Sequence, residues 1–208
     1  MTSTLLSDFW GRCFENGHGV AQVVNYTLNM VGGTSGGLID NTSDTKSFHG
    51  DQEIVAEKYF LCARQLEPNL GLGTYQWVNF SNCMNGYDGI GICADYLPNQ
   101  IEKKAQTCAE AHGFDWQTLD ACRQGAEGDA LFKASEYYVD AEMRRFKASN
   151  RTAGIPQYGT AGGDDWGIPI IRVAGKVYKN TPGAYDLLGE HICKAAGKDP
   201  KDCGCKLL

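Results

Sequence analysis

The sequence lacks any run of about eighteen apolar residues, so nothing in it reads as a bilayer-spanning helix. It also lacks an excess of positive charge: 19 Lys and Arg face 25 Asp and Glu, for a net charge of −6. Without a basic field to attract phosphate, nucleic acid and anionic membrane surfaces are excluded as main partners. Rossmann, P-loop and Gly-x-Ser-x-Gly patterns are missing. The four histidines, at 18, 49, 112 and 191, have no metal-ligand spacing, and paired cysteine knuckles are absent. No metal and no bound cofactor are therefore expected. The opening Met1-Thr-Ser-Thr-Leu-Leu-Ser-Asp-Phe-Trp10 has neither a basic stretch nor an unbroken apolar one, so it is no signal peptide. No Cys-x-x-Cys occurs anywhere.

What is present in quantity is cysteine. Nine of them, at 13, 62, 83, 93, 108, 122, 193, 203 and 205, are scattered at loop-closing distances. That spacing reads as a disulfide framework in an oxidising compartment, with the odd total leaving one thiol free or intermolecular. Four N-glycosylation sequons, at Asn25, Asn41, Asn79 and Asn150, point the same way. The expectation is a secretory-pathway protein, lysosomal or extracellular. Hydrophobic residues make up 42% and charged residues 21%, as in a globular chain able to bury a core.

Periodicity organises the chain as a single domain, 1–208, in three parts. In 1–47, Leu5, Leu6, Phe9, Trp10, Cys13 and Phe14 share one helical face; an alternating strand over 20–30 and a Gly-rich loop follow. In 48–148 the pattern predicts helices over 53–66, 74–84, 100–112, 116–124 and 127–147. Asp115 is set to cap the fourth, and Phe132, Val139, Met143 and Phe146 form the core stripe of the fifth. In 149–208, Gly167-Ile-Pro169-Ile-Ile-Arg-Val173, the turn Ala174-Gly175-Lys176 and Val177-Tyr178 predict a hairpin. A final helix spans about 184–196.

The hairpin with its leading proline is similar to the unit of thioredoxin-like proteins in which a cis proline lies beside the redox cysteines. A cis X-Pro bond costs only about 0.5–1 kcal/mol, so a turn can hold it. Residues 47–62 add a second likeness: Ser-Phe-His49-Gly50-Asp-Gln-Glu53-Ile-Val-Ala-Glu-Lys-Tyr-Phe-Leu-Cys62. This resembles the signature Cys-Gln-His-Gly-x-x-Glu-Cys-x-x-Asn-x-x-Glu-x-Cys of the gamma-interferon-inducible lysosomal thiol reductase (GILT) family. His49, Gly50, Glu53 and Cys62 coincide with it. Ser47 and Ile54 replace its first two cysteines, and Glu57 and Phe60 replace its Asn and second Glu.

The resemblance implies an α/β, thioredoxin-like fold with a large helical insertion at 48–148, lacking the first strand. It implies a thiol–disulfide oxidoreductase that reduces disulfides of protein substrates, with substrate peptide along the Ile168-Pro169 edge and no cofactor. The surviving bridges it suggests are Cys108–Cys122 and Cys193–Cys203. Such an enzyme needs a thiolate at a helix N-terminus and a second cysteine one turn on to resolve the mixed disulfide. This chain has no such pair, so no catalytic residue lies in it; in the family the pair sits just ahead of the residues matching Met1–Leu6. The expectation is a sequence cut off upstream of Met1, inactive as it stands. Two alternatives stay open: a redox-dead binding module, and a disulfide-stapled secreted structural protein. Cys203-Gly-Cys205 reads either as a redox dithiol or as two structural half-cystines. The oligomeric state is not specified.

Overall fold

The computed structural model describes Thr27, Asn29 and residues 51–70, 75–85, 98–148, 171–173, 176–178 and 188–199. These comprise helices α1 (Asp51–Leu70), α2 (Gln76–Asn85), α3 (Pro98–Ala111), α4 (Trp116–Gln124) and α5 (Ala126–Ala148), strands β1 (Ile171–Val173) and β2 (Lys176–Tyr178), and helix α6 (Leu188–Ala195).

Helix α1 is the axis of the bundle, packed by α2, α3, α4 and α5. Its residues Ala56, Tyr59, Phe60, Leu61, Cys62 and Ala63 are buried, and so are Glu57 and Glu67; five consecutive buried positions, 59–63, mean that this stretch is enclosed all round rather than along one face. The neighbours bring matching stripes: Trp77, Val78, Phe80 and Met84 from α2, Ile101, Ala105, Cys108 and Ala109 from α3, Leu119 and Cys122 from α4, and Phe132 from α5. Phe60, Phe80 and Phe114 form a run of edge-to-face rings, with centroids 6.3 and 5.7 Å apart, and Tyr59 stacks on Trp116 at 5.7 Å. Ile192 and Cys193 of α6 join the same core.

Helix ends follow local chemistry. Gly113, at φ 76°, turns the chain out of α3, and the Phe114 amide returns to the Ala109 carbonyl at 2.9 Å, leaving Phe114 buried. Asp115 then caps α4, its carboxylate accepting from the Thr118 amide at 2.8 Å and from the Thr118 hydroxyl at 2.6 Å. The start of α2 is capped from a distance: Glu67 of α1 accepts the Gln76 and Trp77 amides, both at 3.0 Å. Gly128 lets α5 lie close against the end of α4, since a Cβ there would meet the Cys122 carbonyl oxygen at 2.5 Å.

The expected α/β, thioredoxin-like layering is corrected. The described residues are overwhelmingly helical, an all-helical body beside one short hairpin. The two strands, three residues each, pair antiparallel with each other (Ile171 with Tyr178, Val173 with Lys176) and form a two-stranded ladder rather than a central sheet. Thr27 and Asn29, within the expected strand 20–30, carry no strand assignment; the rest of that segment and the expected opening helix lie outside the described residues. Among the described residues the apolar side chains are buried helix against helix around α1.

Two bridges cross this body: Cys62–Cys122 joins α1 to α4, and Cys83–Cys108 joins α2 to α3. The expected Cys108–Cys122 pairing is therefore corrected as well. Cys108 points at α2 and Cys122 at α1, so the adjacent helices α3 and α4 are each tied to another element. Their sequence separations of 60 and 25 residues give about 4 and about 3.5 kcal/mol of stabilisation in the chain-entropy account. Replacing Cys62 and Cys122 together by alanine is expected to lower the urea midpoint more than replacing Cys83 and Cys108. The second loop is nested in the first, so the two losses should not add. A reversed order in urea melts would show that packing, not loop closure, sets their worth.

Candidate functional site

The signature residues divide between described and undescribed parts. Glu53 and Cys62 lie on α1, nine residues apart; His49 and Gly50 lie outside the described residues, as do Ile168, Pro169, Cys203, Asn25, Asn41 and Asn150. Asn79 is exposed on α2. Cys62 is fully buried and bonded to Cys122, so it is a structural half-cystine. Cys193 is disulfide-bonded too, to a partner beyond the described residues. All five described cysteines are thus in bridges. A disulfide sulfur cannot attack; a thiolate must. Among the described residues no group of His, Cys, Asp and Glu is placed to hold a metal ion, and no helix is long and apolar enough to cross a membrane.

The polar chemistry instead concentrates on the two flanks of α1. On one flank the Tyr59 hydroxyl donates to Asp120 at 2.6 Å and accepts from Arg123 at 3.1 Å. Arg123 also pairs with Asp120 at 3.0 Å and with Glu102, and its guanidinium lies 5.0 Å from the centre of the Tyr59 ring. Gln124 donates to Asp120 at 2.6 Å. Burial first, then donation to Asp120, pushes the Tyr59 hydroxyl above the ordinary phenol range. Desolvation opposes the charge on Arg123, and its bonds to Tyr59 and Glu102 outweigh that and hold it charged. Five polar side chains on α1, α3 and α4 are joined in one network beside the Cys62–Cys122 bridge, with the buried Arg123 Nε left outside its hydrogen bonds. A network of this kind fixes helix register.

The other flank is acidic. Glu57 of α1 and Glu136 of α5 are both buried where these helices pack. The Glu57 Oε2 atom has no hydrogen-bond partner. Burial raises the Glu57 carboxyl well above its ordinary range, and the nearby charges of Glu53 and Glu136 push it further. Both effects favour the protonated, neutral form of the Glu57 carboxyl. Lys58 and Asp129 form an ion pair between the same two helices, at their more exposed edge.

None of Glu57, Glu136, Tyr59, Asp120 or Arg123 was expected as a functional residue from the sequence. The signal existed for Glu57, which follows Ala56 and stands one turn before Phe60 and Leu61, an apolar setting where an acid is out of place.

Compared with protein-family models, with curated proteins and with solved structures, the chain matches none. The intramolecular disulfides are consistent with a secretory or extracellular protein.

The buried acid sets the pH response. Because its folded value is raised, Glu57 keeps a proton that the unfolded chain releases above the ordinary glutamate value. Its contribution is fully present in acid and is lost as pH rises through the folded value. Glu57→Gln mimics the neutral acid. In thermal melts it should match the parent in acid and exceed it at neutral pH; parallel curves for the two chains would refute the assignment.

Proposed function

We propose that this chain works in the thiol–disulfide chemistry of the GILT-like reductases that its sequence resembles, on protein substrates in an acidic, lysosome-type lumen. In this reading the described helices are the stapled, polypeptide-holding frame and carry no attacking thiol. The observation that carries it is the likeness of residues 47–62 to that family's signature, with matches at His49, Gly50, Glu53 and Cys62. Each of the five described cysteines is in a bridge, as a frame without an attacking thiol requires, and the raised carboxyl of Glu57 favours the folded helices at low pH. The substitution of Ser47 and Ile54 for the family's first two cysteines fits the same picture, because both halves of that sulfur chemistry are gone together.

A second reading is a disulfide-stapled secreted structural protein with no part in thiol exchange, and the bridged cysteines favour it equally. One pair of assays separates these readings from each other and from a competent enzyme. In catalytic amount, the chain is expected to leave dithiothreitol-driven precipitation of insulin at its uncatalysed rate. Immobilised, it is expected to retain reduced, denatured ribonuclease A. Faster precipitation would place a working nucleophile on the chain and overturn the frame reading. Failure to retain the unfolded polypeptide would leave the structural reading in its place.

A further inference from the structure

The sequon Asn79-Phe80-Ser81 is the one whose asparagine lies in a described helix, and its two recognition groups face opposite ways. Asn79 is exposed on α2, its Nδ2 donating to Gln76 Oε1 at 3.3 Å at the surface. Phe80 is 0% and Ser81 3% exposed. The Ser81 hydroxyl donates inward to the Trp77 carbonyl at 2.8 Å. This divergence is a property of the helix: at 3.6 residues per turn, side chains two apart point about 200° from each other. In extended chain the same two side chains point to one side. A transferase that must grip the asparagine amide and read the serine hydroxyl together can do so on the extended segment. From solvent, the folded helix shows it only the amide.

We propose that Asn79 is an N-glycan acceptor that is open only while α2 is unfolded, and that closure of the Cys83–Cys108 bridge ends its window. Cys83 lies four residues after Asn79 on the same helix, and its partner Cys108 is fully buried on α3. Once that bond forms, α2 is tied to α3, with Phe80 and Ser81 beneath it. Glu67 holds the other end of the helix through the Gln76 and Trp77 amides.

The transfer uses an oligosaccharide carried on a lipid pyrophosphate. The bond from the anomeric carbon to the pyrophosphate oxygen breaks, and the lipid pyrophosphate leaves with the electron pair. A bond from that carbon to Asn79 Nδ2 forms as the amide gives up one proton. No oxidant or reductant takes part. The attached glycan then projects from the outer face of α2, away from Trp77, Phe80 and Met84, so the core packs as before. Occupancy is thereby set by a race between glycan transfer and disulfide closure. The proposal rests on the secretory-route reading and names the modification that this route would place on this helix.

The test directs the full chain into the endoplasmic reticulum and measures the asparagine-to-aspartate mass shift left by peptide N-glycosidase F. Asn79 is expected to be occupied in a fraction of molecules. That fraction should rise when dithiothreitol is present during synthesis, and rise again in the C83S/C108S variant. Given microsomal transferase and lipid-linked donor, the folded, oxidised chain should stay unmodified at Asn79 while the reduced, unfolded chain is modified. Modification of both forms at the same rate would overturn the proposal. So would an empty Asn79 under every condition while another sequon is filled, a result that leaves the secretory reading standing. Empty sequons throughout, with free thiols at Cys62, Cys83, Cys108 and Cys122, would remove both.

Discussion

The fold turns on one constraint: α1 has neighbours on nearly every side. With α2, α3, α4 and α5 all packed against it, a helix carrying Glu57 and Glu67 has little solvent face left for its acids. Each acid is accommodated by a different device. Glu67 is spent as a cap, accepting the first amides of α2 in exchange for its lost hydration. Those bonds favour its charged form, although burial still raises its carboxyl above the ordinary range. Glu57 has no hydrogen-bond partner for its Oε2 atom, and burial raises its carboxyl well above the ordinary range. The bridges add covalent ties within the same core, fastening α1 to α4, which no single loop joins, and reinforcing the consecutive pair α2 and α3.

Much of this bundle was legible in the sequence, because the helical block announces itself through local rules. Expected spans of 53–66, 74–84, 100–112, 116–124 and 127–147 compare with Asp51–Leu70, Gln76–Asn85, Pro98–Ala111, Trp116–Gln124 and Ala126–Ala148. Asp115 as a cap and Phe132 as a core residue are found as expected; the side chains of Val139, Met143 and Phe146 lie outside the described residues. The hairpin at 171–178 was also readable, from two short β-branched runs around Ala174-Gly175. What could not be read is what the hairpin belongs to. A strand–turn–strand pattern specifies its own pairing and says nothing of further strands, and taking it as the edge of a sheet led to the wrong layering.

Bridge pairing was illegible for a related reason. Cys108 and Cys122 sit on consecutive helices, and the family resemblance suggested them as partners. In the fold, the turn at Gly113 swings α4 so that Cys122 meets α1, while Cys108 faces α2. Partner choice depends on which way each helix face points after the bundle assembles, and no local spacing carries that. The Tyr59–Asp120–Arg123–Glu102 network is equally non-local, drawing on residues from three helices that only packing brings together.

The sulfur and the acid each tie the stability of the bundle to its surroundings. Buried bridges between helices persist where thiols are oxidised, and the reducing cytosol would put both loops back into the unfolded chain's entropy. A buried, protonated glutamate is least costly where protons are plentiful. At neutral pH the same side chain must either keep its proton against the solution or lodge a second negative charge beside Glu53 and Glu136. These are independent demands, one on redox poise and one on pH, made by residues on the two flanks of a single helix. The bridges are consistent with a secretory or extracellular protein, and the raised carboxyl makes the same bundle firmer as pH falls.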